Sequence, residues 1–268
     1  YLTDLAPDGL AKVFLLSTGA EAIEFAIKCC RAHGVKVGGE RKTAVIGFDR
    51  GFHGRTLGAQ QVGGIPSQKD WIVTRDPKLF NAPFPDGFWQ EDTSFDAFAR
   101  AISDQGLDPS DIAGVVMESF QGGGPDFAPP GYVKQLRAWC DQNEVLLVFD
   151  EIQAGCGRSG KFWAFEHYGV TPDLFTIGKG VSSSLPLSGV IGRAHVLDLF
   201  DTGSLVSTHS GNPICAAAAL ANLKKIVETK LTENAAAQGP ILAESLEGLM
   251  TKHPDYIGRI SHRGLVGG

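Results

Sequence analysis

Residues 112–150 read IAGVVMESFQGGGPDFAPPGYVKQLRAWCDQNEVLLVFD, and this stretch decides the fold. Its ends, residues 112–118 and 145–150, are nearly continuous apolar runs, which is typical of strands buried on both faces of a parallel sheet. A helical pattern over residues 132–142 lies between them. The stretch therefore predicts a strand, a crossover helix and a second parallel strand.

The same alternation continues on both sides of this unit. Further strands are predicted at residues 13–16, 43–48, 174–177 and 187–191. Helices are predicted from a Thr18–Glu21 capping box to a stop at Gly34, in a turn-to-helix segment after residue 51, at residues 95–102, and at residues 212–229. Residues 63–92 show no clear period and are predicted to cross the surface. The fold class is α/β, with a mostly parallel sheet flanked by helices.

The composition is that of an ordinary globular chain. Of 268 residues, 43% are apolar and 20% are charged, and no apolar run approaches the roughly 18 residues of a membrane span. The formal net charge of -6 gives no general attraction to nucleic acid or anionic lipid. We therefore expect no nucleic acid and no membrane as partners, and an anionic substrate would have to be held by local groups.

The cysteines favour a reducing compartment. There are five of them, an odd number, and no C-x-x-C pair is present, so neither a disulfide framework nor a metal site is predicted. A cytoplasmic location follows as the expectation. The sequence starts at Tyr1 rather than Met, which leaves an organellar targeting segment open.

Two ionisable residues lie at or just after the carboxyl ends of predicted strands. Asp150 ends the strand at 145–150, and Lys179, between two glycines, follows the strand at 174–177. Ligands bind at the carboxyl ends of strands in open α/β sheets, so this carboxylate and amine are candidates for one site. The helix start at Gly19 and Ala20 offers backbone N–H groups for a phosphate. A turn cap, a surface lysine and an ordinary capped helix would explain these residues singly.

A competing motif predicts a nucleotide hydrolase. Residues 155–161 read GCGRSGK and match the G-x-x-x-x-G-K core of a phosphate-binding P-loop, and residues 147–151 resemble a magnesium-binding acidic strand. However, Phe162 stands where Ser or Thr must reach the metal, and the acidic strand comes first. The P-loop is therefore a remote alternative.

Several motifs in series resemble one known family, the class III aminotransferases. They extend over essentially the whole chain: Thr18-Gly-Ala-Glu-Ala22, Gly51-Phe-His-Gly-Arg-Thr56, Asp150-Glu-Ile-Gln153, Gly157-Arg-Ser-Gly160, Pro172-Asp-Leu through Gly178-Lys179, Pro186-Leu-Ser-Gly189 and Thr208-His-Ser-Gly-Asn-Pro213. The resemblance implies the fold-type I architecture of pyridoxal 5′-phosphate enzymes and that cofactor.

The resemblance also implies roles for four residues. Lys179 would form the Schiff base with the cofactor and carry the proton between substrate and cofactor. Asp150 would pair with the pyridine nitrogen and keep it protonated. Phe52 would stack on the ring, and Gln153 would approach its phenolic oxygen. Lys179 and Asp150 are thus the expected catalytic residues.

The remaining expected contacts surround the phosphate and the strand end. Gly19 and Ala20 would bind the phosphate through their N–H groups, and Thr18 beside them is a further expected cofactor-binding residue. Thr208 of a neighbouring subunit would complete that site, so the resemblance implies a homodimer. Glu118 and His53 are also expected in the cofactor site. Glu118 would be an outer or substrate-side group, with a solvated carboxylate as its alternative, and His53 would be a structural partner of Phe52.

The implied activity is amino transfer between an amine or amino acid and a 2-keto acid. The neighbourhood of residues 186–193 is similar to aminobutyrate-type members, which suggests an ω-amino acid such as 4-aminobutyrate. Gly123 stands where many ω-amino acid members have an acid. Decarboxylation, racemisation, mutase or phospho-lyase chemistry of the same family is therefore the alternative. A form that binds cofactor without turnover is a third possibility.

A domain boundary is predicted near residue 230. Residues 1–230 would form the cofactor-binding large domain without its N-terminal segment, and residues 231–268 would begin a truncated C-terminal domain. The family's substrate-binding arginine lies beyond the motif that contains Arg263, so Arg263 receives no catalytic role.

Overall fold

A seven-stranded sheet forms the centre of the protein in a computed structural model that describes residues 1–268. The strand order is β1-β7-β6-β5-β4-β2-β3; β7 is antiparallel to both neighbours, and all other pairs are parallel. The strands are β1 (Lys12–Leu16), β2 (Ala44–Phe48), β3 (Leu79–Ala82), β4 (Ile112–Glu118), β5 (Leu146–Asp150), β6 (Leu174–Ile177) and β7 (Ser188–Gly192). The mostly parallel α/β fold expected from the sequence is confirmed.

Helices connect the strands and cover the sheet. They are α1 (Gly19–Gly38), α2 (Leu57–Val62), α3 (Phe95–Asp104), α4 (Pro130–Gln142), α5 (Ala194–Leu197), α6 (Pro213–Glu228) and α7 (Leu231–Lys252). Four short 3₁₀ turns lie at Pro66–Gln68, Pro109–Asp111, Ala164–Tyr168 and Lys179–Val181. A two-stranded hairpin, β8 (His262–Arg263) and β9 (Val266–Gly267), packs against α7.

Both faces of the sheet are buried, as the continuous apolar strands predict. On β5, Leu147 and Phe149 enter the core on one face, whereas Leu146 and Val148 enter the core on the other. Successive strand residues point to opposite faces, so each strand must be apolar throughout to serve both cores.

An aromatic cluster anchors the loop after β5. Trp163 lies 4.8 Å from Phe175 between ring centroids, and Phe165 stacks on Phe149 at 5.6 Å. All four side chains are at most 1% exposed. Burial of such a side chain contributes about 1.5–3 kcal/mol, so the cluster fixes the loop that leads away from Asp150.

The predicted stop of α1 at Gly34 is wrong, because the helix continues to Gly38. Gly34 is buried, and a Cβ there would lie 2.1 Å from the Lys42 carbonyl oxygen and 2.7 Å from Ala113 Cβ. The glycine therefore permits close packing of the helix against the sheet rather than ending it. The last turn is closed by the Gly39 N–H, which donates to Val35 O.

Two other segments differ from expectation. The excursion at residues 63–92 contains edge strand β3, which pairs with β2 in parallel. Its four residues are too few to show a period. The P-loop alternative fails structurally: the glycine-rich turn at residues 155–161 leads into the 3₁₀ turn at Ala164–Tyr168, not into the N-terminus of an α-helix.

No helix is long and apolar enough to cross a membrane. A boundary near residue 230 stays a prediction. It coincides with the start of α7, whose preceding residue, Lys230, has a left-handed φ of 54°.

Candidate functional site

The central strands end together and bring the candidate acids to one edge. Glu118 at the end of β4 pairs in register with Asp150 at the end of β5, and Asp150 pairs with Thr176 on β6. The chain leaves β6 at Ile177 and reaches Lys179 two residues later. Parallel strands thus deliver two carboxylates and an amine to the same crevice.

A cavity of about 180 Å³ lies at this edge. Its lining residues come from five separate parts of the chain: Gly19, Ala20, Phe52, His53, Gly54, Glu118, Asp150, Ile152, Gln153 and Lys179. Every residue expected in the site lines this cavity except Thr18 and Thr208. Ile152 and Gly54 line it without having been expected.

Asp150 is held rigidly by three partners. Its Oδ1 accepts hydrogen bonds from the Ile152 N–H at 3.0 Å and the Thr176 hydroxyl at 3.1 Å. Its Oδ2 lies 2.8 Å from His53 Nδ1. The Asp150 side chain is 4% exposed. It is therefore an oriented carboxylate at the cavity wall.

His53 is a positioning partner of Asp150. Its side chain is 1% exposed, and burial lowers its pKa. The hydrogen bond and negative charge of Asp150, with the charge of Glu118, outweigh burial, so the net pKa of His53 is raised above its usual value. A protonated His53 would donate from Nδ1 and leave Asp150 as the negatively charged member of the pair.

Glu118 faces the cavity from the next strand and ties the Phe52 turn to the sheet. Its Oε2 accepts from the Phe52 N–H at 2.9 Å, and its Oε1 accepts from the Gly122 N–H at 3.1 Å. Burial raises its pKa to about 7 despite nearby His53. The solvated-carboxylate alternative is wrong, since Glu118 is only 6% exposed.

Lys179 meets Gln153 at the cavity wall. Its Nζ donates to Gln153 Oε1 at 3.0 Å. The side chain is exposed, and the backbone φ of 41° is left-handed, which is uncommon for a residue with a Cβ. The amine is thus accessible on a turn of unusual conformation.

The start of α1 presents two unpaired donors. Thr18 forms a capping box: its hydroxyl accepts from the Glu21 N–H at 3.2 Å, and its own N–H donates to Glu21 Oε2 at 2.9 Å. The N–H groups of Gly19 and Ala20 make no hydrogen bond within the chain. Gly54 approaches this turn so closely that a Cβ on it, at a φ of 127°, would lie 2.6 Å from Ala20 Cβ.

Thr208 does not reach this cavity within the single chain. It is exposed, in the turns between α5 and α6. Two neighbours of that segment, Val206 and Ile214, are 67% and 71% exposed.

Two further polar residues close to the site were not singled out in the sequence. Arg55 is exposed, makes no ion pair, and its guanidinium carbon lies 5.5 Å from the centroid of the Phe52 ring. Glu151, 1% exposed, accepts from the Ala164 and Phe165 N–H groups at 2.8 and 2.9 Å, and burial raises its pKa to about 8. A cation directly after the Phe52 turn was the available signal for Arg55; Glu151 gave none, because its role depends on a distant loop.

Comparison with known proteins identifies the family. The sequence-family model of the class III aminotransferases matches residues 1–268. A 5-aminovalerate aminotransferase of Pseudomonas putida is 38% identical over 248 residues, which cover 91% of this chain and 56% of that protein.

Solved structures that superpose on this chain are also transaminases. An (S)-enantioselective omega-transaminase from Thermomicrobium roseum superposes with a TM-score of 0.90 at 30% identity, over 99% of this chain and 62% of that one. A PLP-bound amine transaminase from an uncultivated Pseudomonas species gives 0.86 at 28% identity, over 95% and 61%. This chain therefore spans 56–62% of the length of these relatives, which is less than two thirds.

Proposed function

The chain belongs to the class III aminotransferase family, and we propose that it moves an amino group between an amine or amino acid and a 2-keto acid. The observation that carries the proposal is the single cavity that Asp150, Phe52 and Lys179 share. One relative is a 5-aminovalerate aminotransferase, which supports an ω-amino acid, such as 4-aminobutyrate, as the donor class to test first.

The residues fit pyridoxal 5′-phosphate, the cofactor bound in one solved relative. The unpaired N–H groups of Gly19 and Ala20 open a 20-residue helix, whose dipole favours the phosphate. Phe52 and Ile152 supply apolar wall for a flat ring. Asp150 supplies a buried carboxylate, and Lys179 supplies the amine.

When bound, the cofactor supplies an electron-accepting ring, which takes up the electron pair released when the substrate C–H bond breaks. Asp150 would accept a hydrogen bond from the pyridine nitrogen and keep its proton in place. His53 holds Asp150 in that orientation through Nδ1. Lys179 would hold the cofactor covalently through Nζ. Once the substrate amino group has displaced it there, the freed amine would move the proton to and from the substrate carbon.

Gln153 and Glu118 are placed to orient this machinery. Gln153 Oε1 accepts from Lys179 Nζ, and its amide would reach the phenolic oxygen of the ring. Glu118 fixes the Phe52 backbone and so sets the plane against which the ring would lie. Both are positioning residues in this proposal.

A homodimer is part of the same proposal. Thr208 of a second copy would complete the phosphate site at Gly19 and Ala20. The exposure of Val206 and Ile214 beside Thr208 supports this, because burial by a partner would remove two apolar side chains from water. A cytoplasmic location also stays a proposal, supported by five free cysteines.

Reduction with borohydride tests the proposal directly. Protein loaded with pyridoxal 5′-phosphate and then reduced should retain a pyridoxyl group on Lys179, located by peptide mass spectrometry. The same protein should convert a keto acid acceptor to its amino acid when an ω-amino acid donor is present. Label on a different lysine would refute the assignment of Lys179.

Gly123 favours testing a second reaction class. This exposed glycine has no side chain and so supplies no acid, although a Cβ there would meet no atom within 4 Å. Release of carbon dioxide or phosphate, with no keto product from the donor, would establish decarboxylase or phospho-lyase chemistry. A formed cofactor adduct without any turnover would establish binding alone.

Arg55 is proposed to bind a substrate carboxylate. Its unpaired guanidinium lies beside Phe52, and a carboxylate there would form a charge-assisted pair. We expect Arg55→Gln to raise KM for a dicarboxylic keto acid roughly 10–100-fold, the effect of losing about 1.5–3 kcal/mol. Steady-state kinetics would measure this.

Arg100→Gln is the matched control, since Arg100 is an exposed arginine on α3 that pairs with Asp92 outside the cavity. KM should not change in this variant. Equal KM values for Arg55→Gln and the unsubstituted protein would show that the carboxylate binds elsewhere.

A further inference from the structure

The turn that bears Lys179 has an unfavourable backbone. Lys179 and Ser183 have φ values of 41° and 66°, in the left-handed region that residues with a Cβ rarely adopt. A residue in this conformation is strained and persists only where its surroundings hold it. Contacts from outside the turn must therefore stabilise it.

The turn itself provides part of this support. Within it, the Val181 N–H donates to Gly178 O at 3.0 Å, the Ser184 N–H donates to Ser182 O at 2.8 Å, and the Ser182 hydroxyl donates to Leu185 O. The Val181 side chain is buried in the core. The carbonyls of Gly180 and Val181, directly after Lys179, take their donors from another element.

That element is α6. Asn222 Nδ2 donates to Gly180 O at 2.7 Å and to Val181 O at 2.9 Å, so both N–H bonds of the amide have an acceptor. Asn222 lies in the middle of a 16-residue helix whose Leu223 is buried in the core. A side chain on a helix thus donates hydrogen bonds to two consecutive carbonyls of the turn.

We propose that Asn222 is a positioning residue for Lys179: by holding the Gly180 and Val181 carbonyls it keeps Lys179 Nζ at the cavity wall beside Gln153. The inference rests on the proposed function of Lys179. It adds a residue more than forty positions away that acts through the backbone and touches neither substrate nor cofactor.

The space around the turn makes this support difficult to replace. Asn222 and Lys179 both line a second cavity of about 650 Å³, on the α6 and α7 side. Because this cavity is open, the turn has space to move into once its two hydrogen bonds to Asn222 are lost. The displacement would carry Lys179 with it, and misplacement by about 1 Å can cost roughly 100-fold in rate.

Amide hydrogen exchange of the whole chain without cofactor gives the first measurement. In Asn222→Leu, which keeps the volume and removes both donors, residues 178–184 should exchange roughly tenfold faster, as expected for the loss of about one net hydrogen bond. Asn222→Asp removes the donors with the same shape and provides a second variant. Asn234→Leu, an exposed asparagine of the same cavity with no side-chain hydrogen bond, is the control and should not change.

Kinetics of the cofactor-loaded protein give the second measurement. Both Asn222 variants should lower kcat about 10–100-fold with KM nearly unchanged, because the substrate contacts remain while the amine is displaced. Unchanged exchange at residues 178–184, or faster exchange with an unchanged kcat, would overturn the proposal. Failure of the unsubstituted protein to transfer an amino group would instead refute the proposed function, and the exchange result would still decide whether Asn222 holds the turn.

Discussion

Replacing Lys179 with alanine is expected to lower kcat/KM by at least about 10⁴-fold, the upper end of what one positioned acid or base contributes. The loss is this large because the substitution removes the covalent attachment of the cofactor and the proton carrier together. The one hydrogen bond of Lys179 Nζ goes to Gln153, and the side chain is exposed, so the fold without cofactor does not depend on it. The Tm measured without cofactor should therefore stay close to that of the unsubstituted protein.

Lys161→Ala is the matched control. Lys161 is an exposed lysine and the G-K lysine of the P-loop-like stretch, so it would be essential in a nucleotide hydrolase. Coupled assays of amino transfer should show full activity in this variant. The opposite pattern, loss with Lys161→Ala and retention with Lys179→Ala, would reverse the assignment.

Replacing Asp150 with asparagine should lower kcat/KM about 10²–10³-fold, the typical effect of removing one preorganised electrostatic contact. The amide keeps the shape of the side chain but not the charge, so the pyridine nitrogen would no longer be held in its protonated form. Thr176→Val is the control for local packing, because it removes only one hydrogen bond to Asp150 Oδ1. Its activity should fall far less.

The same substitution has a spectroscopic signature at His53. Burial alone lowers the pKa of His53, and Asp150 is the main group that raises it. In Asp150→Asn the pKa of His53 should therefore fall below its usual value, whereas it lies above that value in the unsubstituted protein. An NMR titration of the imidazole measures this, and an unchanged midpoint would show that Asp150 does not control the charge of His53.

Sequence patterns predicted the central sheet because its strands are buried on both faces. The short apolar runs that end at Glu118 and Asp150 match a buried strand better than any other element. Edge strand β3 was missed, since an edge needs neither length nor a continuous apolar run. Gly34 misled for a different reason: its small size serves packing between elements distant in sequence, which a local pattern does not record.

Some residues of the candidate site could likewise be predicted from the sequence, and others could not. Asp150 and Lys179 could be predicted because Asp150 ends one strand and Lys179 lies two residues after another, and strand ends meet at one edge. Asn222 could not be predicted. An asparagine in an alanine-rich helix shows no special role in the sequence until the carbonyls that it contacts are known. Its acceptors belong to a turn whose unusual backbone angles appear only in three dimensions.

The cavity joins parts of the chain that are far apart, since Gly19 follows the first strand and Lys179 follows the sixth. High contact order of this kind slows folding, because long loops must close before the contacts form. The walls of the site come together only when the central strands have associated. Cofactor capture during biosynthesis would then mark the end of folding, and the ligand would stabilise the finished protein rather than guide its assembly.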